Sequence, residues 1–296
     1  MTARTPTHPI PWSTSPVIPR PWQADALPIL LDSLRRTRPG APVRPLIYAV
    51  MGSGKSRLLG ALCHLALHGR RREEDVIVVA APRQNLVEQL GATIREHCGR
   101  EAVGLYYARV KQPRRPVIVC CYQSLPTLTE ALAELGRRVV LFAGDEAHRT
   151  ECATVAAAWA ILQPVTAVGF TATPYLADTK ATLSLWTEVP YRYPLTQALA
   201  DGLSAAAAEA GIAVGINHVC GMLTVFFGAG PVCCLAEAQT TDKGRYGHFF
   251  HALLEAGIYL PPSPFETWFV DSAHSATDIE TTIDAARRAF SRPARR

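Results

Sequence analysis

The chain has 296 residues, 48% of them hydrophobic, and a formal net charge of +5. That length holds one large domain or two modest ones, and no apolar run reaches the ~20 residues that a membrane-spanning helix needs. Charge divides unevenly: 23 basic against 16 acidic side chains over 1–203, and 7 against 9 over 204–296, so the first part suits a polyanion or presents an arginine-rich solvated surface.

The first 18 residues are rich in proline and lack the apolar centre of a secretory signal. They read as a loose, extended lead-in, and a cytoplasmic location with no membrane partner is expected. Arg20-Pro21-Trp22-Gln23 precedes a helical pattern over Ala24 to Arg35. Gln23 carries the donor and acceptor that reading an adenine edge requires, though a helix-start polar residue looks the same.

Leu46 to Val50 is an apolar strand run that feeds Met51-Gly52-Ser53-Gly54-Lys55-Ser56 and then a helix over Lys55 to His68. Strand, glycine-rich turn and helix start form the layout of a phosphate-binding loop. Gly52 and Gly54 let backbone N–H groups turn toward an anion, with Ser53 between them. Lys55 places a charge near the β- and γ-phosphates, and the Ser56 hydroxyl is placed to ligate Mg²⁺. Ala49 stands where the usual pattern begins with glycine. His64 and His68, at i and i+4, read as a surface helix face, and Arg70 to Arg72 as solvated.

Asp75 to Ala81 is a β-branched run, hence a buried strand. Pro82-Arg83-Gln84-Asn85 follows it, then a helix over Leu86 to His97. The same alternation repeats with Pro116 to Cys121 before Tyr122-Gln123-Ser124, with Arg138 to Gly144 before Asp145-Glu146-Ala147-His148, and with Thr166 to Phe170 before Thr171-Ala172-Thr173-Pro174. Such alternation predicts an α/β domain with a mostly parallel sheet, helices on both faces, and ligands at the carboxyl ends of strands. Asp145 is the expected Mg²⁺ holder, and Glu146 the group that orients and deprotonates an attacking water. Thr171 and Thr173 are placed to hydrogen-bond the acidic motif.

The eight cysteines form no CxxC pair and several fall in apolar runs, so reduced buried thiols are expected rather than zinc or disulfides. Beyond Leu203 the pattern changes. Ser204 to Gly211 reads as helix, Ile212 to Asn217 and Leu223 to Phe227 as strands, Tyr246 to Ala256 and Ala276 to Phe290 as helices, the last opened by a capping-box-like Ser275-x-x-Asp278. A small α+β lobe over 204–296 is expected.

Taken together, RPWQ, AVMGSGKS, VVAAPRQNLVEQ, VCCYQSL, LFAGDEAH and GFTATP resemble the first RecA-like domain of a superfamily-two DEAD/DEAH-type helicase of the restriction-enzyme-like branch, over 19–203. The resemblance implies that Gln23 reads adenine, that Lys55, Ser56, Asp145 and Glu146 handle ATP and Mg²⁺, and that His148, Thr171 and Thr173 couple nucleotide state to nucleic acid. It places Arg83, Gln123 and Ser124 near a track for nucleic acid, DNA by preference. Arg83 departs from the threonine that many relatives carry there.

The tail resembles the C-terminal lobe of glutamate-semialdehyde aminomutase over 206–290, through AGIAVGINHVCGM, FFHALLEAGIYLPPSPFE and AHSATDIETTIDAARRAF. In that family pyridoxal phosphate sits on a large preceding domain, so the cofactor is not expected here, and His218, Ser263 and Glu266 keep the resemblance of pocket-edge positions only. A complete helicase needs a second RecA-like domain, which a separate chain would have to supply. The expectation is an incomplete helicase-type ATPase with weak hydrolysis and no autonomous unwinding. A pyridoxal-phosphate enzyme fragment and a non-enzymatic chimera are the alternatives. In either case the apolar face of the tail, with Phe226, Phe227, Phe249 and Phe250, is expected to need a cover.

Overall fold

The structure, a computed structural model, describes residues 15–38, 40–50, 52–150, 152–172, 185–228, 230, 232–271 and 273–292. Most of the lead-in over 1–18, and Thr173, lie outside the described residues. Two compact units divide after Arg192.

The first unit contains α1 (Pro21–Arg35), β1 (Pro45–Ala49), α2 (Lys55–His68), β2 (Asp75–Ala81), α3 (Gln84–Cys98), β3 (Val103–Tyr107) and β4 (Val110–Lys111). These are followed by β5 (Val117–Cys121), α4 (Leu125–Glu134), β6 (Arg138–Asp145), α5 (Ala153–Leu162), β7 (Thr166–Thr171) and β8 (Glu188–Tyr193). The strands form one sheet in the order β4-β3-β5-β2-β6-β7-β1-β8. Neighbours from β3 to β1 are parallel, and the short β3–β4 hairpin is antiparallel. That hairpin and β8 escape a reading based on apolar runs, because neither is a continuous buried stretch.

Every residue of β2 and of β5 is buried, as expected of strands covered on both faces. Val76, Val78 and Ala80 join one core with Leu128 and Leu132 of α4 and Val155 and Ala158 of α5. The alternate residues of β2 point the other way, where α2 and α3 pack on the strand and on each other. The α2–α3 approach is close: a Cβ on Gly60 would lie 2.4 Å from the His97 ring. His64 is therefore no surface residue. It is 7% exposed and its Nδ1 lies 2.7 Å from the His97 carbonyl.

The second unit contains α6 (Leu195–Glu209), β9 (Val214–Val219), β10 (Met222–Phe227), α7 (Leu235–Gln239), α8 (Lys243–Glu255), β11 (Trp268–Phe269) and α9 (Ala276–Ser291). Its antiparallel sheet runs β11-β10-β9. The division falls before Pro194 because α6 is unbroken and its Leu199, Leu203, Ala206 and Ala207 share a core with Leu223, Phe227, Phe249 and Phe290. The cover expected to be missing is thus present within the unit: Phe226, Phe227 and Phe249 are buried and Phe250 is partly so. The capping box forms, with the Ser275 N–H donating to Asp278 and the Asp278 N–H donating to the Ser275 hydroxyl.

Cys63, Cys120 and Cys121 are buried, whereas Cys152, Cys220, Cys233 and Cys234 are exposed, and all are free. Among the described residues no cluster of His, Cys, Asp and Glu is arranged to hold a metal, and no helix is long and apolar enough to cross a membrane.

Candidate functional site

The loop between β1 and α2 turns through Gly52 (φ +74°) and Gly54 (φ +91°), a backbone region that side chains disfavour. Three loop carbonyls are held by the start of α1. Arg20 Nη1 donates to the Gly52 and Ser53 carbonyls at 3.2 and 3.0 Å, Trp22 Nε1 to Ser53 at 3.0 Å, and Gln23 Nε2 to Gly54 at 2.9 Å. Gln23 is fully buried and its Oε1 accepts from the Arg20 N–H, so both ends of its amide are engaged with the protein. With the carbonyls turned toward α1, the N–H groups of Gly54, Lys55 and Ser56 donate to no described atom. Free N–H groups at a helix start form an anion cradle. Lys55 is 8% exposed and its Nζ donates to the Ala49 and Val50 carbonyls at 3.0 and 3.2 Å. The Ser53 hydroxyl closes the loop on the Val50 carbonyl at 2.7 Å.

The acidic motif leaves β6 at the same end of the sheet. Asp145 is in register with Phe170 of β7, and Thr171 with Tyr48 of β1, so one strand separates the acidic motif from the loop, roughly 10 Å at ordinary strand spacing. The two elements sense each other's charge. Burial lowers the Lys55 pKa, and Glu146 and then Asp145 oppose that fall. Burial, and then Glu146, push the Asp145 carboxyl up to about 6 against the pull of Lys55. Glu146 has φ +48°, a strained conformation for a residue with a side chain. His148 Nδ1 lies 3.3 Å from the Thr171 hydroxyl and 3.5 Å from the Glu146 carboxylate. Its pKa is lowered, by burial first, with Glu146 opposing. The Tyr122 hydroxyl donates to the Asp145 carbonyl at 2.8 Å and ties β5 to the motif.

Beside this edge, Arg83 and Gln123 line a cavity of about 330 Å³ together with Pro82, Tyr122, Arg149 and Thr154. Ser124, the N-cap of α4, is half-buried next to Gln123 and does not line it. Arg20, Trp22, Tyr122 and Arg149 were not singled out from the sequence. Arg20 and Trp22 belong to the same short word as Gln23 and Arg149 follows His148 directly, so the signal for three of them was adjacency. Tyr122 likewise precedes Gln123 directly, but nothing local announced its contact with Asp145, which lies at the end of a strand two places away in the sheet.

Residues 17–176 match the family described as type III restriction enzyme, res subunit. Over 122 residues, 40% of this chain, the sequence is 51% identical to a glutamate-1-semialdehyde 2,1-aminomutase of Anaeromyxobacter dehalogenans and 49% identical to that of Anaeromyxobacter sp. strain K. The chain covers 28% of the length of these relatives. Among solved structures, a nuclease-deletion mutant of the Type ISP restriction-modification enzyme LlaGI in complex with a DNA substrate mimic is 14% identical, covering 65% of this chain and 22% of that one, with a TM-score of 0.47. The UvsW helicase from bacteriophage T4 is 16% identical, covering 53% and 54%, with a TM-score of 0.42.

Proposed function

The chain belongs to the family of type III restriction enzyme res subunits, and its first unit is a RecA-like, ATP-binding domain of helicase or translocase type; from that premise we propose that it is a nucleic-acid-dependent ATPase acting on DNA. The observation that carries the reading is the Lys55 ammonium, seated in the loop on the Ala49 and Val50 carbonyls at the sheet end that bears Glu146 and Asp145, whose charges oppose the fall that burial imposes on its pKa.

The residues suit a metal-bound triphosphate. The N–H groups of Gly54, Lys55 and Ser56, which donate to nothing among the described residues, would receive phosphate oxygens, and Lys55 would exchange its carbonyl partners for the β- and γ-phosphates. Ser56 and Asp145 would hold Mg²⁺, which supplies neutralisation of phosphate charge when bound. Glu146 would accept the proton of the attacking water. The His148–Thr171 contact would pass the state of that carboxylate along the β7 edge, and the same coupling role is proposed for Thr173 on the resemblance alone. Gln23 would reach adenine only after releasing Gly54 and the Arg20 N–H. Arg83, Gln123 and Ser124 would meet the phosphodiester backbone.

After Arg192 the described residues form no second parallel sheet. A facing half with its arginine finger would have to come from other residues, for which a separate chain is one source. Without that finger, turnover is expected to be slower by roughly 10³–10⁵, with no unwinding by these residues alone. ATP turnover measured with and without single- and double-stranded DNA, beside Lys55→Ala and Glu146→Gln, tests the reading. Nucleotide affinity untouched by Lys55→Ala would sink it.

The 122-residue match also favours an aminomutase-type lobe for the second unit. A visible absorption band on adding pyridoxal phosphate would extend that likeness to cofactor binding at His218, Ser263 or Glu266; no band would confine it to the fold.

A further inference from the structure

We infer that the end of the sheet opposite the phosphate loop is a second nucleic-acid contact, built to hold the backbone of duplex DNA. The inference goes beyond the proposed function and does not depend on the ATP site.

Strands β5, β2 and β6 are neighbours, with Ile77 in register with Val117 and Asp75 with Arg138. The loops leading into them therefore emerge together, where the strands begin. They carry Arg70, Arg71, Arg114, Arg115, Arg137 and Arg138. Hydrogen bonds knit them into one surface. Arg137 donates to the Arg114 carbonyl at 2.9 Å and to the Arg115 carbonyl at 3.4 Å, and the Arg138 N–H donates to the Glu74 carbonyl at 2.9 Å.

Carboxylates neutralise only part of this charge. Arg138 pairs with Asp75 at 2.7 Å, Arg115 with Glu101 at 2.9 Å, and Arg72 approaches Glu74 at 3.8 Å. Arg71 and Arg114 are exposed, and among the described residues their side chains have no partner. Arg70 and Arg137 each keep a buried Nε donor without an acceptor. Burial, and then the nearby Arg70, lower the Arg137 pKa, and Glu73 opposes that fall without cancelling it.

The chemistry of the patch selects its partner. Guanidinium forks match phosphate oxygens in pairs. No large apolar side chain is exposed in these loops, whereas the core of a protein interface calls for apolar anchors. No aromatic residue stands there to stack an unpaired base, which favours a duplex over a single strand. The seven residues of β2 separate this end from Arg83, roughly 20 Å at strand rise, so one short single strand cannot be the ligand of both surfaces through the same nucleotides.

The test uses the full chain, a short fluorescein-labelled DNA duplex and the matching single strand, with anisotropy read across a salt series and no nucleotide present. The double variant Arg71→Glu/Arg114→Glu is expected to bind the duplex about tenfold more weakly near 0.1 M salt and to lower the log–log salt slope by about 2. Arg71→Gln/Arg114→Gln should show a smaller change in the same direction, and circular dichroism should match wild type for both. Duplex affinity and salt slope unchanged by the reversals would overturn the inference, and so would a loss that falls equally on the single strand. DNA stimulation of ATP turnover, read separately with Arg83→Ala, reports on the proposed function alone.

Discussion

At the scale of single residues, Asp145 ties protonation to both activity and stability. Burial and Glu146 hold its carboxyl near 6, so Mg²⁺ affinity and ATP turnover are expected to rise as pH passes upward through that value. Titration of Mg²⁺-dependent turnover between pH 5 and 8 checks this. The folded pKa lies above the unfolded one, so the group favours the fold below the ordinary carboxylate range, and that contribution is lost as pH rises through about 6. Asp145→Asn is therefore expected to raise stability at pH 8 by the order of 1–3 kcal/mol and to change it little near pH 3, read by thermal melts at both pH values. Gly54 gives a second expectation. Its φ is +91° and a Cβ there would lie 2.8 Å from Gln23 Nε2, so Gly54→Ala should strain the loop and weaken nucleotide binding without changing helix content.

At the scale of elements, two contacts decide how segments dock. Asp75 at the start of β2 is 2% exposed and receives Arg138 Nε and Nη2 at 3.0 and 2.7 Å, along with the N–H groups of Arg71 and Arg72. Burial would raise its pKa, but the Arg138 hydrogen bonds and the Arg71 and Arg72 N–H groups outweigh it and hold the carboxyl below its usual range. A depressed carboxylate stabilises the fold above the ordinary carboxylate pKa, and that stability is lost as pH falls below it. Arg138→Ala leaves a buried acceptor short of its main donor and should cost about 1–3 kcal/mol near neutral pH, less below pH 3, as denaturant titrations would show. In the second unit, α6 and α9 meet where a Cβ on Gly202 would come within 2.3 Å of Ile283 Cδ1. Gly202→Ala is expected to destabilise that unit by about 1–3 kcal/mol, and Ile283→Val in the same chain to recover part of it. Additive losses in this double-mutant cycle would refute direct packing at the pair.

At the scale of the whole molecule, each unit has its own core. Residues 193–296 expressed alone should unfold in one cooperative transition with little dye-binding apolar surface, because Phe227, Phe249, Trp268 and Phe290 pack on one another inside the unit. A broad, non-cooperative melt would show that this core is insufficient. The basic first part and the slightly acidic remainder place the polyanion-binding expectation on the first unit, where both arginine-bearing edges lie.

Local chemistry was enough to read the loop at 52–56, the acidic pair at 145–146 and the parallel alternation between them, since glycine freedom, apolar runs and strand-end carboxylates act over a few neighbouring residues. Only the folded chain decided that Gln23 and Arg20 hold the loop's carbonyls, that His64 is buried beneath His97, and that α6 belongs with the second unit. It also decided that arginines from three separate loops share one surface. Each of those facts depends on residues far apart in sequence that the sheet order brings together, and no local pattern records which strand ends up beside which.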